Sequence, residues 1–148
     1  MKIVSHRGNL EGRNIKLENH PDQIDFAIKN NFLAEIDLRI IDNKFWLGHD
    51  EPDYLIDKQW LLDRNEYLVI HSKDLKTSNH LVNLNKKLNW FYHTDEDIVL
   101  TSWGWMWCYP EIYLSEGITV LIGDQVKLSS KVLGVCTDYP LKFRMYNN

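Results

Sequence analysis

Strand and helix signals alternate from the start of this chain, and that alternation predicts an α/β domain with mostly parallel strands. Two local patterns support it: a strongly periodic helix follows the first strand, and a strand of alternating polarity follows that helix. The 148 residues suit one core, because a domain of that size buries roughly two-thirds of the surface its unfolded chain exposes. Residues 1–148 are therefore expected to form a single domain. With 44% hydrophobic and 26% charged residues, the composition is that of a globular protein and excludes the disordered and fibrous classes.

Ile3, Val4 and Ser5 read as the first strand, running into His6, Arg7 and Gly8. Pro21 suits a first helical position, and Ile24, Ala27, Ile28 and Phe32 recur on one helical face. From Ala34 to Ile40 polar and apolar residues alternate, so Glu35, Asp37 and Arg39 emerge on one side of a strand. Asp42 and Asn43 make a turn, and Phe45, Trp46 and Leu47 return as a strand ending at Gly48, His49 and Asp50. Asp57 is placed to cap a short helix carrying Trp60 and Leu61. Tyr67 to Ile70 form a buried strand that ends in His71, Ser72 and Lys73, and Leu81, Leu84 and Leu88 mark a third helix. Further strands are expected at Trp90 to Tyr92, Ile98 to Leu100, Ile118 to Leu121 and Val132 to Cys136, with little helix between them.

A formal net charge of -4 offers no basic footprint for a nucleic acid. No stretch is long and apolar enough to span a bilayer, and the amino terminus lacks a secretory pattern, so a cytoplasmic protein is expected. Cys108 and Cys136 are too few and too far apart for a disulfide framework and are read as small buried residues.

His6-Arg7-Gly8 after a first strand, Glu18-Asn19 before the first helix, Glu35 and Asp37 on the second strand, His49-Asp50 after a hairpin and Thr137-Asp138-Tyr139-Pro140 near the end together resemble the glycerophosphodiester phosphodiesterases, within the phosphatidylinositol phospholipase C-like superfamily. The motifs occur in family order through the first 50 residues. The resemblance implies a (β/α) barrel of the triosephosphate-isomerase type, one divalent cation such as Mg²⁺ or Ca²⁺, and hydrolysis of a small phosphodiester. It also implies a shortened member, reduced to about seven strands with few helices in the C-terminal half, because such barrels usually exceed about 200 residues. Where the family carries a third metal carboxylate, two positions before the lysine of the third strand, this chain has His71.

The residue types suit that chemistry. Glu35 and Asp37 are hard oxygen donors that point the same way on a strand and can share one cation. His6 and His49, at separate strand ends, can flank a phosphorus and move protons at its two sides, since imidazole titrates near neutral pH. Arg7 and Lys73 supply positive charge for a phosphate, while Glu18 serves as an extra ligand or orients Arg7. His71 reads either as a metal ligand, which would favour Mn²⁺ or Zn²⁺, or as a substrate contact. His93 reads as a turn residue or a substrate contact, and Asp138 as a contact to a substrate hydroxyl.

Two other functions fit the same residues: a non-catalytic phosphoester-binding protein, or a Zn²⁺ or Mn²⁺ hydrolase using His6, Asp37, His71 and His93. Trp103, Trp105 and Trp107 alternate along one extended face, as a stacking platform or, preferably, as a plug for an undersized barrel. The open sheet edges of an incomplete barrel favour self-pairing into a homo-oligomer or covering segments.

Overall fold

The computed structural model describes residues 1–84, 86–128 and 131–147. Its first strand, β1 (Lys2–His6), leads through a polar loop to helix α1 (Pro21–Lys29), where the His20 side chain accepts the Asp22 N–H and Pro21 takes the first turn. Ile24 and Ala27 form the buried face of α1. Asn31, at φ 62°, turns the chain out of the helix into β2 (Leu33–Ile41). Asp42 and Asn43, both with positive φ, are the tight hairpin turn expected there and match the right-handed twist of the strands. The hairpin partner is β3 (Lys44–Leu47), followed by β4 (Tyr54–Ile56) and α2 (Lys58–Asp63). Asp57 stands at the cap of α2 as expected, although its side chain makes no capping hydrogen bond.

Strand β5 (Leu68–Ser72) and helix α3 (Leu75–Leu84) come next, then β6 (Asn89–Phe91), β7 (Ile98–Leu100), β8 (Met106–Cys108), β9 (Gly117–Val120), β10 (Gly134–Thr137) and α4 (Pro140–Asn147). Leu88, expected on the third helix, lies beyond its end and is buried under β6. Among the described residues, seven strands pair in parallel in the order β6, β5, β2, β1, β10, β9, β8. The sheet curls into a reduced barrel, with β3 and β4 appended antiparallel to β2 and β7 antiparallel to β8.

Alternation along each strand separates two cores. Ala34, Ile36, Leu38 and Ile40 of β2 face outward and pack with Ile24, Leu61, Ile70 and Leu81 under the helices. Ile70 is the β5 member of that outer layer. Inward-facing Val4, Val69, Phe91, Trp107, Ile118 and Cys136 fill the barrel interior as an apolar layer. Both cysteines are free and buried, as expected.

No backbone ladder joins β6 to β8 among the described residues; side chains close that seam. The Phe91 and Trp107 rings stack at 4.7 Å, and Ser102 bridges to β6, its N–H donating to Trp90 O at 2.8 Å and its hydroxyl accepting the Trp90 N–H at 2.9 Å. The three indoles do not share one face as the alternation suggested, because the chain turns at Gly104 (φ 81°). Trp103 instead donates to Lys87 O, and the inward stripe is Trp105, Trp107 and Tyr109. Trp105 and Trp107 join the interior cluster, which bears out the plug reading for those two. No helix among the described residues is long and apolar enough to cross a membrane.

Candidate functional site

The carboxyl ends of β1, β2 and β5 lie side by side, with His6 in register with Glu35 and Asp37 with His71. This end of a parallel barrel is where enzymes of the fold carry their chemistry. His6, Arg7, Glu35, His49, His71, Lys73 and His93 all line one cavity of about 330 Å³ there. A larger cavity of about 850 Å³ lies beside the loop after β1 and holds none of these residues. Phe91, Trp107, Tyr109 and Val120 complete the lining of the smaller one.

Asp37 is fully buried among nitrogen groups: Oδ1 lies 3.1 Å from His71 Nδ1 and 3.1 Å from Lys73 Nζ, and Oδ2 lies 3.0 Å from Arg7 Nε. These are ion-pair contacts, but Asp37 Oδ1 and Arg7 Nε are buried without a hydrogen bond of good geometry. Asn19 clamps Asp37 from behind, donating to Oδ2 at 2.9 Å and accepting the Asp37 N–H at 2.8 Å. Burial opposes ionisation of Asp37, yet the His71, Lys73 and Arg7 contacts outweigh it and hold its pKa well below the ordinary range. Burial, reinforced by the Asp37 charge, pushes Glu35 up to about 7. Burial likewise lowers His71, despite the neighbouring Asp37.

Arg7 sits in the left-handed region at φ 52°, a strained conformation for a non-glycine residue. Its N–H donates to Glu35 Oε2 at 3.2 Å and its guanidinium to Glu18 Oε2 at 3.1 Å. Glu18 therefore orients Arg7, and also holds Arg13 and Asn9. Of its two expected roles the geometry supports the orienting one.

His6 and His49 are held alike. His6 Nδ1 lies 2.8 Å from Asp138 Oδ1, and His49 Nδ1 lies 2.8 Å from Asp50 Oδ1. An ionised carboxylate only accepts, so Nδ1 is the donor in each contact, and His6 Nε2 lies 4.0 Å from Glu35 Oε2. Burial lowers the pKa of His6, but the Asp138 hydrogen bond and the Glu35 charge outweigh it and the net shift is upward. The loop carrying His49 is pinned by Arg39, which donates to the carbonyls of Gly48, His49 and Asp50. Gly48, at φ 149°, has no room for a side chain: a Cβ would meet Glu51 O at 1.9 Å.

Asp138, expected against a substrate hydroxyl, lies beside His6, and Asn9 donates to it at 2.8 Å. His93 stacks on His71 at 4.7 Å and 20° and is hydrogen-bonded to the Tyr109 hydroxyl. That stacking bears on the set His6, Asp37, His71 and His93, which does not converge on one point. The acids and histidines that do converge, among the described residues, are Glu35, Asp37 and His71, with one ligand atom from each within 4.8 Å of the others. Two carboxylates and an imidazole, with Asp37 Oδ1 buried without a hydrogen bond of good geometry, fit a divalent cation.

Sequence reasoning assigned no role to Asn9, Asn19, Arg39 or Tyr109. Arg39 had a signal, being the third residue on the face of Glu35 and Asp37, and Asn19 stood in the Glu18-Asn19 motif; Asn9 and Tyr109 meet their partners through the fold.

Neither a known family model nor a curated protein matches the sequence. Solved structures do. The chain matches a proposed glycerophosphodiester phosphodiesterase from Galdieria sulphuraria with a TM-score of 0.57 and 15% identity, covering 99% of this chain and 98% of that one. This chain has the fold of that protein. It also matches a glycerophosphoryl diester phosphodiesterase from Parabacteroides distasonis, with a TM-score of 0.54, 13% identity and coverage of 98% and 85%. The reduced barrel implied by the resemblance is thereby borne out, and the cavity occupies the carboxyl end of its strands.

Proposed function

We propose that the chain hydrolyses a small phosphodiester with the help of one divalent cation. The observation that carries this reading is convergence: two histidines each held at Nδ1 by a carboxylate, two cations, Glu35 and His71 line one cavity, and Asp37, buried beside Glu35 and His71, completes the ligand set. Glu35, Asp37 and His71 would hold the ion, which when bound supplies charge neutralisation at the phosphate. Mg²⁺ and Ca²⁺ suit the two carboxylates, and the His71 imidazole extends the choice to Mn²⁺ or Zn²⁺.

The rest of the chemistry belongs to the chain. Arg7 and Lys73 hold the phosphate oxygens, Arg7 in an orientation fixed by Glu18. His6 and His49 divide the two proton transfers: the one with a bare Nε2 takes a proton from the attacking oxygen, and the other, protonated at both nitrogens, gives its Nε2 proton to the leaving oxygen. Fixing each Nδ1 on a carboxylate sets the tautomer in advance, which favours turnover over mere binding of a phosphoester. Bis-para-nitrophenyl phosphate and glycerophosphodiesters should be hydrolysed with Mg²⁺, Ca²⁺ or Mn²⁺, and His6→Ala should lose roughly 100- to 10,000-fold in kcat. Turnover by the wild type no faster than by His6→Ala would sink the proposal.

A further inference from the structure

The cavity is chemically two-sided. On the side of β1, β2 and β5 it is lined by Arg7, Glu35, Lys73 and the histidines that serve the phosphate. The opposite side, from β6, β8 and β9, carries Phe91, His93, Trp107, Tyr109 and Val120 and no acid, lysine or arginine. Phe91 and Trp107, 1% and 3% exposed, make a rigid apolar floor. His93 and Tyr109 rise above it partly exposed, with rings 4.8 Å apart at 60°. His93 is fixed on its other side by the His71 ring.

The Tyr109 hydroxyl and His93 Nε2 share one hydrogen bond, and either direction of that bond leaves the phenol oxygen with unused capacity. If Tyr109 donates, its oxygen can accept; if it accepts, its O–H can donate. A ligand hydroxyl, being both donor and acceptor, satisfies the pair in either case. An anionic group would face aromatic ring faces with no opposite charge on that side, at a desolvation cost. The volume of about 330 Å³ lies at the small end of ligand pockets, which leaves space for a short arm beside the phosphate.

We propose that Tyr109, oriented by His93, is a specificity-determining residue that hydrogen-bonds a hydroxyl on one alcohol arm of the phosphodiester. The inference rests on the phosphodiesterase reading above and adds to it a side chain that separates hydroxylated arms from unhydroxylated ones.

The test compares two esters that share a choline arm and differ in the other: glycerophosphocholine, with hydroxyls, and para-nitrophenyl phosphocholine, without. Tyr109→Phe keeps the ring and removes the hydroxyl. It should raise KM for the glycerol ester about tenfold and leave the nitrophenyl ester within about twofold, as expected for one lost hydrogen bond. The nitrophenyl ester thus doubles as a check on folding. Equal effects on the two esters, or none on either, would overturn the inference. Calorimetric titration of both esters into His6→Ala, with and without Tyr109→Phe, separates it from the phosphodiesterase reading. A selective loss of glycerophosphocholine affinity without wild-type turnover keeps the Tyr109 role and sinks hydrolysis. Turnover with no selective loss does the reverse, and binding of neither ester overturns the Tyr109 role.

Discussion

At the scale of single residues, the candidate site depends on polar side chains that orient its histidines. Asp138 is proposed as a positioning residue: it accepts the Nδ1–H of His6 and is held in turn by Asn9. Asp138→Asn keeps the shape but replaces an obligatory acceptor by a group that can also donate, so the wrong His6 tautomer becomes accessible. It also removes a charge that raises the His6 pKa. The expected outcome is a kcat roughly 100-fold lower or worse, a His6 limb of the pH profile moved to lower pH, and little change in KM. An unchanged limb and kcat would refute the positioning role. The ingredients of this network were only half legible in the sequence. His6, Glu35, Asp37 and His49 declare themselves through local patterns, whereas His6 and Asp138 are 132 positions apart and meet only when β1 pairs with β10.

At the scale of elements, β8 carries the closure of the barrel. Trp107 is 3% exposed and stacks on Phe91 across the seam that lacks a ladder, so its loss removes both core volume and the seam. Trp107→Ala should destabilise by about 3 to 5 kcal/mol, read as a lower urea midpoint, and should reduce activity by loosening the wall beneath His93. Trp103→Ala, at a partly exposed ring outside the interior cluster, should cost far less. Equal midpoints for the two variants would contradict closure by stacking. Strands β1, β2 and β5 and helix α1 were readable because their periodicity is local and sustained. By contrast β4, β8 and α4 were not assigned from sequence. β4 follows a polar run from His49 to Asp53 and β8 lies inside an aromatic run from Trp103 to Tyr109 that hides its ends, and α4 buries only Pro140 and Phe143, so its apolar face is faint.

At the scale of the whole molecule, the candidate metal ligands couple stability to pH. Glu35 is pushed up to about 7 in the fold by burial and by Asp37. A group with a raised native pKa stabilises fully below its unfolded value and loses that contribution as pH rises through the native one. In the metal-free protein Glu35 therefore withdraws stability between about pH 5 and about pH 8, and the raised pKa of His6 adds a change of the same sign. The lowered values of His71 and His93 return stability as pH rises to their ordinary value of 6.5, so the net fall is expected above that point. Asp37, Glu18 and Asp138 have lowered values, so their contributions disappear only in more acidic solution and leave this window flat. A divalent ion binds the ionised carboxylate, so it should release a proton below about pH 7 and stabilise more strongly as pH rises. Melting temperatures in EDTA and in Mn²⁺ across that window check the expectation: the EDTA curve should fall in its upper part, the Mn²⁺ curve should stay level, and Glu35→Gln should flatten the first and abolish the gap between them. Parallel curves with and without Mn²⁺ would mean that the ion does not bind through Glu35.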